Sequence, residues 1–174
     1  MPRNPRCVLP GVAHHVTQRG VDRCDVFYSQ GDRETYLHLL QANLDDAGAR
    51  VLGFCLMSNH VHWVVVPERE DSLEVLFRRV HGRYAQYLNA RRRRTGHLWQ
   101  NRFFSCAVDP RREDIVLRYV EWNPVRAGMV EAPEQYGWSS ALAHLAGPVA
   151  EKVPLLDWKS VSYTHLTLPT IYSV

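Results

Sequence analysis

Two short stretches carry residue types that could do chemistry. The first is Asn59-His60-Val61-His62-Trp63-Val64-Val65-Val66. On a strand, alternate residues share a face, so His60 and His62 project together, about 7 Å apart at the backbone. Two imidazoles at that spacing suit one divalent ion. They equally suit two satisfied histidines on a sheet surface, since an isolated His-x-His is common. The second stretch is Arg118-Tyr119-Val120-Glu121-Trp122-Asn123-Pro124-Val125-Arg126-Ala127-Gly128. Tyr119 and Asn123 are four residues apart and share a face if the segment is helical. A tyrosine can act as a nucleophile when its phenol is deprotonated or its target phosphate is strongly polarised. A free phenol ionises at about pH 10, so a metal and cations would have to help near neutrality. The competing reading is a core tyrosine.

These residues need elements to hold them. Val12 to Gln18 alternates and reads as a strand ending at Arg19-Gly20. Asp32 is the expected N-cap of a helix carrying Tyr36, Leu37, Leu40, Leu44 and Ala47, closed by Gly48. Residues 51–57 and 60–66 read as two strands joined at Ser58-Asn59, the second stopped by Pro67. Ser72 is expected to cap a long helix with an apolar stripe at Leu73, Leu76, Phe77, Val80, Tyr84, Tyr87 and Leu88. Leu98 to Val108 reads as a fourth strand. Pro110 opens a last helix reaching about Asn123, where Pro124 interferes. The order strand, helix, strand, strand, helix, strand, helix predicts an α+β fold: a ferredoxin-like βαββαβ sandwich with an additional C-terminal helix.

Neighbouring strand residues alternate, so at most one of His14 and His15 can approach a site beside His60; a surface or packing role is expected for both. His38, His81, His97 and His144 receive the same reading. Tyr84 and Tyr87 fall on an apolar stripe and read as core.

The net charge is +3 over 174 residues, and 19 of the 21 basic residues are arginine. The charge is uneven: residues 68–102 hold nine arginines and four acids. Arginine offers a planar donor fork suited to phosphate and to guanine edges, so a polyanion is one partner and a solvated helix face the other reading. Gly96-His97-Leu98-Trp99-Gln100-Asn101-Arg102-Phe103-Phe104 interleaves aromatics with arginine, as stacking surfaces for single-stranded nucleic acid do. No apolar run is long enough to span a bilayer, no signal peptide is legible, and a cytoplasmic location is expected. The four cysteines form no CxxC pair, which disfavours a zinc ribbon or disulfide scaffold. Residues 161–174 lack charge and glycine. Their start is the peptide that translation of a transposon-library sequencing adapter would give, so the expectation is one domain over 1–160 followed by a non-native tail.

With these segments assembled, the chain resembles the REP-associated tyrosine transposases, a branch of the single-tyrosine HUH transposases. The likeness covers about residues 1–145. It rests on Pro5-Arg6 through Pro10-Gly11, His14-His15-Val16-Thr17-Gln18-Arg19-Gly20, Leu56-Met57-Ser58-Asn59-His60-Val61-His62, the Gly96–Phe103 and Tyr119–Gly128 segments, and Trp138-Ser139-Ser140. The resemblance implies a metal-dependent endonuclease and strand transferase acting on single-stranded hairpin DNA of palindromic repeats, through a 5′-phosphotyrosine. It assigns Mg2+ or Mn2+ to His60 and His62, with Asn123 as third ligand, and the nucleophile to Tyr119. Ser58 stands where the family has proline, and Asn123 where other single-tyrosine transposases have glutamine. Arg78, Arg79, Arg83, Arg91, Arg92, Arg93 and Arg94 would hold the hairpin backbone. Arg3, Arg6 and Arg19 would contact a guide tetranucleotide, and Arg102 and Arg126 complete the DNA-binding set. The resemblance leaves both monomer and homodimer open.

A non-catalytic nucleic-acid-binding module of the same fold class is the main rival, although the aromatic RNP1 signature of RNA-recognition domains is absent. A two-histidine phosphodiesterase is disfavoured because it needs two separate HxT/S motifs.

Overall fold

The structure is a computed structural model that describes residues 7–146 and 156–157. Four strands form one antiparallel sheet: β1 (His14–Arg19), β2 (Ala49–Leu56), β3 (His60–Pro67) and β4 (Phe104–Ala107), in the order β2-β3-β1-β4. Between β1 and β2 lie α1 (Gln30–Gln41) and α2 (Leu44–Ala47), and between β3 and β4 lies α3 (Ser72–Arg92). After β4 come α4 (Glu113–Glu121), α5 (Asn123–Arg126) and α6 (Ala141–Ala146). This is the expected ferredoxin-like α+β sandwich, with helices added after the fourth strand.

Each face of the sheet has its own apolar layer. Val16, Phe54, Val61, Trp63 and Val65 meet Tyr36 and Leu40 of α1 and Leu73, Phe77, Val80 and Tyr84 of α3. Trp63, Tyr36, Tyr84 and Phe77 are fully buried there, so the aromatic rings supply much of the apolar area withdrawn from water. On the opposite face Leu52, Cys55, Val64 and Val66 meet Leu117 and Val120 of α4. Residues of β3 thus alternate between two cores, and the strand is buried from Val61 to Pro67.

The helix ends differ from the sequence expectation. The N-cap of α1 is Ser29, whose hydroxyl accepts from the Asp32 amide; Asp32 sits three residues later and its carboxylate accepts from the amides of Ser29 and Tyr28. Asp32 therefore completes a capping box instead of opening the helix. The expected single helix to Gly48 stops at Gln41 and restarts as α2. Ser72 lies inside the first turn of α3, accepting from the Arg69 amide and donating to the Gly48 carbonyl. Its hydroxyl ties α3 to the start of β2.

Two further differences bear on the site. The expected strand over residues 98–108 is cut to Phe104–Ala107, because Leu98–Phe103 runs as a loop pinned to β1. The pins are Val21 N to Leu98 O, Gln100 N to Arg19 O, and Gln18 Nε2 to Asn101 O. The expected last helix breaks at Trp122, so Tyr119 lies in the last turn of one helix and Asn123 begins another. Gly53 lets α4 lie close to the sheet: a Cβ there would stand 2.6 Å from Leu117 Cδ2 and 3.0 Å from Ser140 Oγ.

Candidate active site

The sheet face that α4 covers is only half covered. Val64 and Val66 lie under the helix, while the other end of β3 presents His60 and His62 to an open cleft. The antiparallel register sets Thr17 opposite His62 and Arg19 opposite His60. The residues of β1 that share this face are therefore His15, Thr17 and Arg19. Phe104 pairs with Thr17 on the other side, so its ring also reaches the cleft. The cleft has a volume of about 400 Å³ and is lined by these residues together with Gln18, Gln100, Asn101, Arg102 and Tyr119.

The His60 and His62 rings lie 4.9 Å apart between centroids. Each has its Nδ1 engaged. The Nδ1 of His60 donates to Asn59 Oδ1 at 2.6 Å, and the Asn59 amide nitrogen donates to the Arg23 carbonyl at 3.0 Å. That second bond decides which way the Asn59 amide faces. The Nδ1 of His62 lies 3.0 Å from His15 Nε2. In both histidines the Nε2 is the nitrogen left to bind a cation.

Burial, aided by the Arg19 guanidinium, pulls the pKa of His60 down to about 4. Burial, then His60, His15, Arg126 and Arg19, pulls His62 down to about 3. Burial also lowers His15. Both His60 and His62 are consequently neutral near pH 7, the state in which an imidazole donates a lone pair to a metal. Among the described residues no group of three or more His, Cys, Asp or Glu side chains is arranged to hold a metal. The donor set therefore fits two imidazole ligands, with remaining positions left to an amide oxygen, water or substrate.

Tyr119 projects from the last turn of α4 and is 47% exposed. Its ring stands edge-on to His15 at 5.8 Å and to His62 at 6.2 Å. The Arg126 guanidinium covers the ring at 4.2 Å and also donates to the Tyr119 carbonyl. A short buried network holds α4 behind this tyrosine: Ser140 Oγ and His144 Nδ1 both donate to Glu121 Oε1.

The other anticipated residues are distributed as follows. Asn123 is not in the cleft lining; its amide nitrogen donates to the carbonyls of Tyr119 and Val120. Arg19 and Arg102 line the cleft. Arg78, Arg79 and Arg83 are exposed on α3, with Arg79 paired to Asp46 at 3.2 Å. Arg91 bonds the Tyr87 hydroxyl and approaches Asp32 at 3.8 Å, and Arg92 covers the Tyr28 ring at 3.6 Å. Arg93 caps α3 in a left-handed conformation, and Arg94 follows it. Arg3, Arg6 and the 161–174 tail lie outside the described residues.

His15 departs from the surface-or-packing reading, because it stands inside the cleft between His62 and Tyr119. Only the pairing of β1 with β3 puts it there, and residue types alone do not reveal that register. His14, its neighbour, is fully buried, its Nδ1 donating to the Val12 carbonyl and its Nε2 accepting from the Leu9 amide.

No helix of the described residues is long and apolar enough to cross a membrane. No curated protein matches the chain. Among solved structures, a REP-associated tyrosine transposase bound to a REP hairpin has a TM-score of 0.70 and 17% identity, over 84% of this chain and 86% of that one. A Deinococcus radiodurans R1 chain described as a transposase has a TM-score of 0.47 and 16% identity, over 70% of this chain and 96% of that one. The first likeness concerns the fold, and the second is too slight to argue from. The family described as "Transposase IS200 like" matches residues 10–123, which span both β1 with His15 and α4 with Tyr119. That match covers well over half of the sequence, and the chain belongs to the IS200-like transposases.

Proposed function

We propose that the chain is a metal-dependent, single-stranded DNA endonuclease and strand transferase that acts on hairpin DNA through a 5′-phosphotyrosine. The observation that carries this reading is the convergence of Tyr119, His60 and His62 on one arginine-rimmed cleft. Membership of the IS200-like transposases supports chemistry on DNA. The REP hairpin bound by the REP-associated transposase of similar fold supports a hairpin as substrate.

His60 and His62 would hold Mg2+ or Mn2+ through their Nε2 atoms; the proposed third ligand is Asn123 Oδ1, which lies outside the cleft lining here with the amide nitrogen held by the Tyr119 and Val120 carbonyls. When bound, the ion would polarise the scissile phosphate and offset charge developing on its oxygens. Tyr119 Oη attacks phosphorus: the Oη–P bond forms as the phenol gives up its proton, the P–O3′ bond breaks, and the departing 3′ oxygen takes up a proton, so none is gained or lost overall. The Arg126 guanidinium, stacked 4.2 Å from the ring centroid, holds the tyrosine ring in place. Arg19 and Arg102 at the rim bind the phosphates on either side. The 5′-phosphotyrosine retains the energy of the phosphodiester, so a second 3′-hydroxyl can reverse the step and rejoin DNA. Arg83, Arg93 and Arg94 supply backbone contacts to the hairpin along α3 and its end, and Arg3 and Arg6 remain proposed guide contacts with Arg19.

The polarity is tested with hairpin DNA carrying distinct labels on the two sides of the cut, incubated with Mn2+. The fragment upstream of the cut should be released with a free 3′-hydroxyl, and the downstream fragment should stay with the protein through its 5′ end. Release of both fragments unattached would contradict a tyrosine intermediate.

A further inference from the structure

A second cleft, of about 200 Å³, opens beside the first. Gln18, Asn101 and Arg102 line both, so the two adjoin. The floor of the second is aromatic. Phe77, His81 and Phe103 are each less than a tenth exposed, and the partly buried Trp99 forms a wall. The rings brace one another: Phe77 and Phe103 lie 5.1 Å apart, and His81 and Trp99 4.7 Å apart. The Trp99 indole donates to the His81 carbonyl, which ties the loop after α3 back onto the helix. Gln18 is 5% exposed and uses its amide nitrogen on the Asn101 carbonyl, which leaves its oxygen as an acceptor.

The rim is charged. Glu74 and Arg78, one turn apart on α3, stand there with Arg102. Among the described residues Arg79 and Arg91 approach acids and Arg92 lies on a tyrosine ring, whereas Arg78 and Arg102 form no ion pair. Two cations without acid partners at the mouth of an aromatic slot match one ligand chemistry well: a planar ring inside and a phosphate at the edge.

We propose that this slot takes one unstacked nucleobase of the substrate strand, next to the phosphate cut in the main cleft. The proposal rests on the DNA-cleaving function above and adds a determinant of where the strand is cut. Arg78 and Arg102 hold the phosphates flanking that base, the rings of Phe77, Trp99 and Phe103 receive it, and Glu74 accepts from its amino group. Adenine, cytosine and guanine carry an exocyclic amino group; thymine does not, and it fits least well.

The test is an abasic scan. Hairpin oligonucleotides carry a single abasic site at successive positions around the cut, and their affinity is measured for the unaltered protein, for Trp99→Leu, which keeps an apolar wall without a stacking ring, and for Glu74→Gln/Arg78→Ala, whose substituted side chains are both exposed. One position should cost the unaltered protein about tenfold or more in affinity, within the range of a stacked base; that cost should fall several-fold in Trp99→Leu and by a smaller factor in Glu74→Gln/Arg78→Ala. Equal costs at every position, or a cost unchanged in both variants, would overturn the slot. Failure of the unaltered protein to bind intact hairpin DNA would overturn the DNA reading and the slot with it.

Discussion

The Nε2 of His15 lies 3.0 Å from the Nδ1 of His62, with 9° between the ring planes. One proton serves this contact. If His62 Nδ1–H donates, His15 Nε2 accepts, and His62 keeps a lone pair on its Nε2. A neighbour that accepts from a ligating histidine sets both its tautomer and its ring angle. Replacing His15 with alanine is accordingly expected to weaken Mn2+ binding by about 10–100-fold. Calorimetric titration of Mn2+ into the two proteins checks this, and equal affinities would contradict it.

Glu121 is fully buried and accepts from two buried donors, Ser140 Oγ and His144 Nδ1. Glu121→Leu removes the acceptor these two donors share, leaving Ser140 Oγ the longer bond to the Phe54 carbonyl, at an expected cost of about 2–4 kcal/mol in stability. Urea unfolding measures the change; a loss below about 1 kcal/mol, the worth of one ordinary hydrogen bond, would show that the network does not anchor α4.

Acid should destabilise the metal-free protein well before its carboxylates titrate. Burial holds His81 down to about 3, as it holds His60 near 4 and His62 near 3. An unfolded histidine titrates at about 6.5. Above that pH neither state binds these protons and the three groups leave stability unchanged. As pH falls from about 6.5 toward 4, the unfolded chain takes up protons that the folded one refuses, so stability falls. Unfolding free energy measured against pH should approach a slope of three protons. A flat profile between pH 6 and about 4 would mean that these rings are not held neutral.

Arg83 and Arg79 are both exposed on α3, but among the described residues only Arg79 of the two is paired with an acid, Asp46. Arg83→Ala should lower the salt dependence of hairpin binding by about one counterion, and Arg79→Ala by less. Affinities measured over a range of salt concentrations separate the two; equal slopes for both variants would mean that the ion pair does not withhold Arg79 from the phosphates.

Much of the fold was legible in the residues. The alternation of His60–Val66, the apolar stripe of α3 and the βαββαβ order needed only local periodicity. The elements that came out differently were decided by tertiary contacts. Leu98–Phe103 looks like a strand from its aromatics, yet Trp99 turns back onto α3 through its indole and the segment never pairs fully. Asp32 has the right type for a cap, but Ser29 holds the position that faces the free amides. The pairing of His60 with His62 followed from strand parity alone. The place of His15 beside them depended on strand register, a non-local property. The second aromatic cleft was equally hidden, because it joins residues from β1, α3 and the loop before β4.

The central claim is that Tyr119 joins DNA covalently. Hairpin DNA is incubated with the protein and Mn2+, the protein is denatured and digested, and the DNA-linked peptide is identified by mass spectrometry. A phosphotyrosine linkage on the peptide containing Tyr119, absent in Tyr119→Phe while that variant still binds the hairpin, is the predicted result. A linkage on another residue, or an adduct that persists in Tyr119→Phe, would contradict it.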